Sequence, residues 1–136
     1  MKFNIRKLTE NDWDTLVAWW KAWPTWTNPP KDFLPDNGTG GLMVEKNNLP
    51  IVAGFLYFTN SAAVLLEWII SNPEYKEKDK KKAIETLVES AEIFCKNNDK
   101  KYMFSIGRNK SLINIHKKLN WSVDKDPSYE ITKNIK

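Results

Sequence analysis

The sequence predicts an α/β (α+β) domain: a mixed, mostly antiparallel sheet flanked by helices, in the order β-α-(α)-β-β-β-α-β-α-β-β. Three observations carry that expectation. Val64 to Ile70 is apolar at nearly every position, as in a strand covered on both faces. Downstream, Ala83, Ile84, Leu87, Val88, Ala91, Phe94 and Cys95 recur at three- and four-residue spacings, the buried stripe of a long helix over Asp79 to Asn97. A helix joining two adjacent strands implies a right-handed parallel crossover, while short alternating segments elsewhere supply the antiparallel strands.

The chain has 136 residues, enough for one domain spanning 1–136 with a sizeable core. Lys and Arg number 21 against 17 Asp and Glu, a net charge of +4. That balance favours anionic ligands such as nucleotides or phosphates and leaves nucleic acid open as a partner. No apolar run approaches a membrane span, and the opening MKFNIRKLTEND has no apolar segment of the signal-peptide kind. One cysteine and one histidine exclude an internal disulfide and a Cys/His metal cluster. A cytoplasmic protein is the expectation, with no metal and no membrane partner, either monomer or homodimer.

In chain order, Phe3 to Leu8 alternates as a short strand. Thr9 is placed to cap a helix from Glu10 to about Lys21, with Asp12 in the acidic position of a capping box. Trp13, Leu16, Val17 and Trp20 form its apolar stripe, with Trp19 and Trp23 off it. Pro24, Pro29 and Pro30 end the helix, and a short helical turn fits Lys31 to Leu34. The segment's tryptophans, Trp19, Trp20, Trp23 and Trp26, read either as a substrate-binding wall or as filling for a core under a loop. Asn37 to Gly41 is a turn that lacks the spacing of a dinucleotide loop.

Leu42 to Glu45 and Ile51 to Thr59 are two antiparallel strands around a turn at Asn47-Asn48-Leu49-Pro50. Gly54, inside the second, marks a bulge or a close approach. Ala62 to Ile70 is the next strand, with a single carboxylate, Glu67, set in its apolar run. Cys95 lies on the core face of the long helix, with no recognisable basic partner to activate it. Lys101 to Ile106 is a further strand. A helix starting at Asn109 or Ser111 carries Leu112, Ile115, His116 and Leu119 on one face, and Trp121 to Val123 and Tyr129 to Thr132 close the chain as strands. A strand feeding a charged loop that opens a helix aims helix amides at an anion, here beside Glu67.

Two segments carry a resemblance. Asn72-Pro73-Glu74-Tyr75-Lys76 resembles the Val-x-Pro-x-x-Arg strand exit of the GNAT superfamily of acyl-CoA-dependent N-acyltransferases. NKSLINIHKKLNW, Asn109 to Trp121, is similar to that family's Asn-x-x-(A)-x-x-x-Tyr-x-x-x-Gly-Phe segment. The resemblance implies acetyl-CoA, or another acyl-CoA, lying in a splay between two parallel strands. Ile69, Ile70 and Ser71 would face its pantetheine arm, with Asn109 nearby. The family's Arg/Gln-x-x-Gly-x-Gly/Ala loop falls on Lys76 to Lys81, with both glycines replaced by Asp79 and Lys81. Side chains of Lys76, Lys78, Lys80 and Lys81 would then take the phosphates that glycine amides otherwise cradle.

The same resemblance makes Glu67 the candidate base, its pKa raised by an apolar strand, and puts His116 at the position of a tyrosine that protonates the departing sulfur. The acceptor would be an amine, on a small molecule or a protein, lying against the tryptophan segment. The alternative is a GNAT-like protein without ordinary acetyl-CoA binding, acting as a binding protein or in DNA or nucleotide modification, as some small viral proteins of this shape do.

Overall fold

A computed structural model describes residues 2–24 and 27–136. Its sheet has five strands in sequential order: β1 (Asn4–Lys7), β2 (Gly41–Lys46), β3 (Leu49–Phe58), β4 (Ala63–Ser71) and β5 (Tyr102–Phe104). The first four pair antiparallel and β5 runs parallel to β4, as the expected crossover requires. Helix α1 (Trp13–Ala22) follows β1, α2 (Lys80–Asn97) makes the crossover, and α3 (Lys110–Lys118) follows β5. The expected closing strands at Trp121 to Val123 and Tyr129 to Thr132 are not formed: residues 121–136 carry no strand. Neither run pairs with β5, the edge strand on that side, and Tyr129 and Ile131 are 92% and 91% exposed.

The two helices cover opposite faces of the sheet. Under α2, Leu42, Val44, Leu56, Val64 and Leu66 meet Ala83, Leu87, Val88, Ala91 and Cys95. Under α1, Met43, Ala53, Phe55 and Ile70 meet Leu16, Trp19 and Trp20. Successive strand residues thus alternate between two cores, which is why β4 carries almost no polar residue.

Local chemistry explains the connections. Arg6 pairs bidentately with Asp12 at 2.8 Å for each bond and donates from Nε to Glu45 at 3.0 Å, tying β1, the turn before α1 and β2 together. The Asp12 carboxylate also accepts from the Thr9 backbone N–H at 2.9 Å, fixing a 3-10 turn (Glu10–Asp12) ahead of α1. The β2–β3 turn is tighter than expected. Asn47 and Asn48, at φ 53° and 64°, make it alone, since asparagine tolerates left-handed backbone, and β3 therefore begins at Leu49.

Candidate active site

The site begins at a bulge. Ala53 pairs with Ile70 and Phe55 with Glu67, so two β4 residues, Trp68 and Ile69, oppose the single Gly54. Trp68 takes φ 56°, a left-handed value that a tryptophan adopts only under strong constraint. Gly54 packs closely there: a Cβ would lie 3.1 Å from Leu87 Cδ2 and 3.3 Å from Ile69 Cγ1, and those side chains would have to give way. The extra residue swings the end of β4 away from β5.

The parallel ladder stops where the bulge begins. β4 and β5 pair at Ala63–Tyr102, Val64–Met103 and Leu65–Phe104 and no further. Beyond, side chains replace the ladder. The Ser105 hydroxyl donates to the Leu66 carbonyl at 2.6 Å, and the Ile106 N–H donates to Glu67 Oε2 at 2.6 Å. Past this clasp the strands part around a cleft of about 330 Å3, lined by Ile69, Ile70 and Ser71 of β4, Ile84 of α2 and Ser105 to Asn109 after β5. Trp23, Glu67, Trp68, Leu112 and Glu130 complete the lining.

Glu67 therefore sits at the apex of the slot. Burial pushes its carboxyl up to about 7, the Ile106 N–H pulls the other way, and the negative charge of Glu130 adds to the rise. Asn109 caps α3, its Oδ1 accepting from the Leu112 N–H at 3.0 Å. The cleft thus brings together Glu67, Ile69, Ile70, Ser71, Asn109 and Trp23 from the sequence-derived candidates.

It does not bring in His116. That ring is 7% exposed, donates from Nδ1 to the Leu112 carbonyl at 2.9 Å, and packs edge-on to Trp121 at 4.6 Å between centroids. It belongs to the α3 packing face and does not line the cleft. Tyr75 and Tyr102 do not line it either.

The aromatic segment is mostly core. Trp20 is fully buried, stacked on Phe55 with centroids 6.4 Å apart and edge-on to Trp13 and Trp68, and Trp19 is 6% exposed. Trp19 was expected off the apolar stripe; the helix instead buries Leu16, Trp19 and Trp20 together because α1 lies broadly across the sheet. Trp26 lies outside the described residues. Trp23 alone of the described tryptophans in the predicted wall reaches the cleft, its indole N–H donating to the Ser71 carbonyl at 3.2 Å.

The lysine-rich loop separates the remaining candidates. Lys76, Lys78 and Lys81 are exposed, whereas Lys80 folds back to donate to the Asn72 carbonyl at 3.2 Å and lies 5.3 Å over the Trp23 ring. Asp79 does not cap its own helix with its side chain. One oxygen takes the Tyr75 hydroxyl and the other the Lys46 ammonium, each at 2.6 Å, and these two partners hold the Asp79 carboxyl low. No residue from Asn72 to Lys81 has a positive φ, so the loop keeps a helix mouth without the glycine conformation.

The element order, the bulge and the parted parallel strands decide the architecture. The chain has the GNAT fold. It superposes on the ribosomal-protein-S18-alanine N-acetyltransferase of Escherichia coli with a TM-score of 0.70 at 13% identity, over 88% of this chain and 77% of that one. An aminoglycoside acetyltransferase from an uncultured soil metagenomic sample matches at 0.67 and 10% identity over 97% and 96%. N-acetylglutamate synthase from Neisseria gonorrhoeae, solved with coenzyme A and N-acetyl-glutamate, matches at 0.69 and 11% identity; 86% of this chain aligns with 28% of that one. The chain thus spans little more than a quarter of the synthase. No protein-family model matches the sequence, and no curated protein does. At these identities what is shared with the GNAT structures is the fold.

Sequence reasoning missed Trp68, Arg108 and Glu130. Gly54, read as a bulge or close approach, was the one local signal for the first. The others follow from chain crossings that no local pattern encodes.

Proposed function

We propose that the protein is an N-acyltransferase that moves an acetyl or related acyl group from a CoA thioester to an amine. The observation that carries this reading is the slot behind the Leu65–Phe104 pair, with Glu67 at its apex. The residues fit the pantetheine arm better than the phosphates. Ile69, Ile70, Ile84 and Leu112 line an apolar channel of the right kind, and β4 has no strand partner along its edge beyond the clasp. Bound acyl-CoA supplies the thioester carbonyl that the amine attacks.

The chain's own work is then modest. An ammonium must lose a proton before it is nucleophilic, and a carboxylate with a pKa of about 7 is matched to take it near neutral pH. The Ile106 N–H fixes Glu67 Oε2 and leaves the other oxygen to face the acceptor or a water. Lys80 is the lysine aimed at the slot's outer end. Release from the Asn72 carbonyl frees its ammonium for a phosphate, with Lys76, Lys78 and Lys81 adding a diffuse positive field. His116 serves packing in this reading, and the departing sulfur takes its proton from solvent.

A second reading draws on the same loop. With Ser71 and Asn72 carbonyls already taken by Trp23 and Lys80, and no glycine cradle, the fold would serve nucleotide or DNA chemistry or binding without acetyl-CoA. Thermal shift separates the two. A ligand at 100 times its Kd adds about 2.7 kcal/mol, so acetyl-CoA should raise Tm by several degrees, and the protein should then acylate a primary amine. No shift at millimolar acetyl-CoA would overturn the acyltransferase reading.

A further inference from the structure

We propose that the acceptor carries two ammonium groups, the reacting one at Glu67 and the second against Glu130, which makes Glu130 the specificity-determining residue of the cleft. This deepens the acyltransferase reading and rests on it. The charged side chains lining the cleft are Glu67, Arg108 and Glu130. A chain of net charge +4 thus builds a cleft with two carboxylates against one arginine. That local excess repels anionic acceptors and holds cationic ones.

Glu130 comes from the strandless C-terminal segment, so the fold spends no ladder on placing it. It is held by Arg108 at 3.7 Å, in a pair whose side chains are 73% and 46% exposed. An exposed pair of that length is worth about 0–1 kcal/mol and exchanges readily for another cation. Arg108 thus occupies, in the free protein, the place of the second ammonium. Glu67 is buried more deeply and faces the Ile106 N–H just after β5, Tyr57 from β3 and Glu130 from the C-terminal segment. No cation is bonded to Glu67 among the described residues. The Glu130 charge disfavours the charge on Glu67, and a dication spanning the two relieves it. Trp68 adds an aromatic wall, its ring edge-on to Phe33 at 6.0 Å, against which an alkyl spacer packs.

Putrescine and n-butylamine, equal in carbon number and differing in the second ammonium, are the probes. The wild type should prefer putrescine in kcat/KM by about tenfold, the worth of about 1.4 kcal/mol. Glu130→Gln should erase that preference, with the loss falling on KM rather than kcat, and should move the acid limb of the rate profile to lower pH. Arg108→Gln should act in the opposite direction and lower KM for putrescine. Calorimetric titration of putrescine without acyl donor keeps the two readings apart. Binding weakened by Glu130→Gln in a protein that transfers nothing sinks acyl transfer and keeps the dication site. Transfer to both amines alike, or a putrescine preference untouched by Glu130→Gln, overturns the dication site and keeps acyl transfer. Neither binding nor transfer overturns both.

Discussion

Glu67 shows how one substitution separates stability from function. Its folded pKa of about 7 stands above the ordinary 4.5 because burial disfavours the charged form. A carboxyl raised in this way contributes stability that is full below about 4.5 and is lost as pH climbs through 7. Glu67→Gln keeps an acceptor for the Ile106 N–H and carries no charge. We expect its Tm to exceed the wild type's at pH 8, with the gap closing by pH 5, in parallel calorimetric scans. Turnover should fall by about a hundredfold or more, the usual worth of a positioned base. A wild-type rate in this variant would remove Glu67 from the chemistry. The unaltered side chain would then be only a clasp between strands.

At the scale of elements, the acyltransferase proposal assigns the donor's phosphates to the turn between β4 and α2. Asp79 is turned outward by Lys46 and Tyr75, whose own hydroxyl is pushed up to about 12 by that hydrogen bond. Asp79→Gly removes a negative charge from the helix mouth and frees the loop backbone to approach an anion. CoA binding by calorimetry should tighten by about five- to tenfold, while Tm falls because the Lys46 and Tyr75 contacts go. Unchanged affinity would show that the loop takes no part in donor binding. Gly54 is constrained for a different reason. A Cβ would crowd Leu87 and Ile69, so Gly54→Ala should cost about 1–3 kcal/mol in urea unfolding. Gly54 was legible as special from its place inside a strand; that the extra residue lies opposite it, at Trp68, was not.

Over the whole molecule, the Arg6–Asp12–Glu45 network joins three segments distant in sequence. Arg6 holds the Asp12 carboxyl well below its usual range, and Asp12 in turn holds the Arg6 guanidinium charged. A lowered carboxyl gives stability that is present above its unfolded pKa of about 3.8 and is lost as pH falls through the lower folded value. Asp12→Ala should therefore cost about 2–3 kcal/mol at pH 7 and progressively less below pH 4, read from urea midpoints at each pH. A cost independent of pH would assign the loss to capping alone.

The sequence by itself determined the main elements through α3, their order and the crossover, because periodicities of two and 3.6 are local and each residue reports its own face. Strand β4, the α2 stripe and the position of Glu67 in an apolar run needed nothing more. Tertiary structure decided what those faces meet. Trp19 and Trp20 became core rather than wall because both pack in the cluster that α1 forms with Met43, Ala53, Phe55 and Ile70. Lys80 alone of its cluster turned toward the slot because Trp23 and the Asn72 carbonyl wait there. The closing strands did not form beside the edge strand β5, and Glu130 reached the cleft from that unpaired segment. Register, crossing and strand partnership depend on residues dozens of positions apart, and a local pattern carries no information about them.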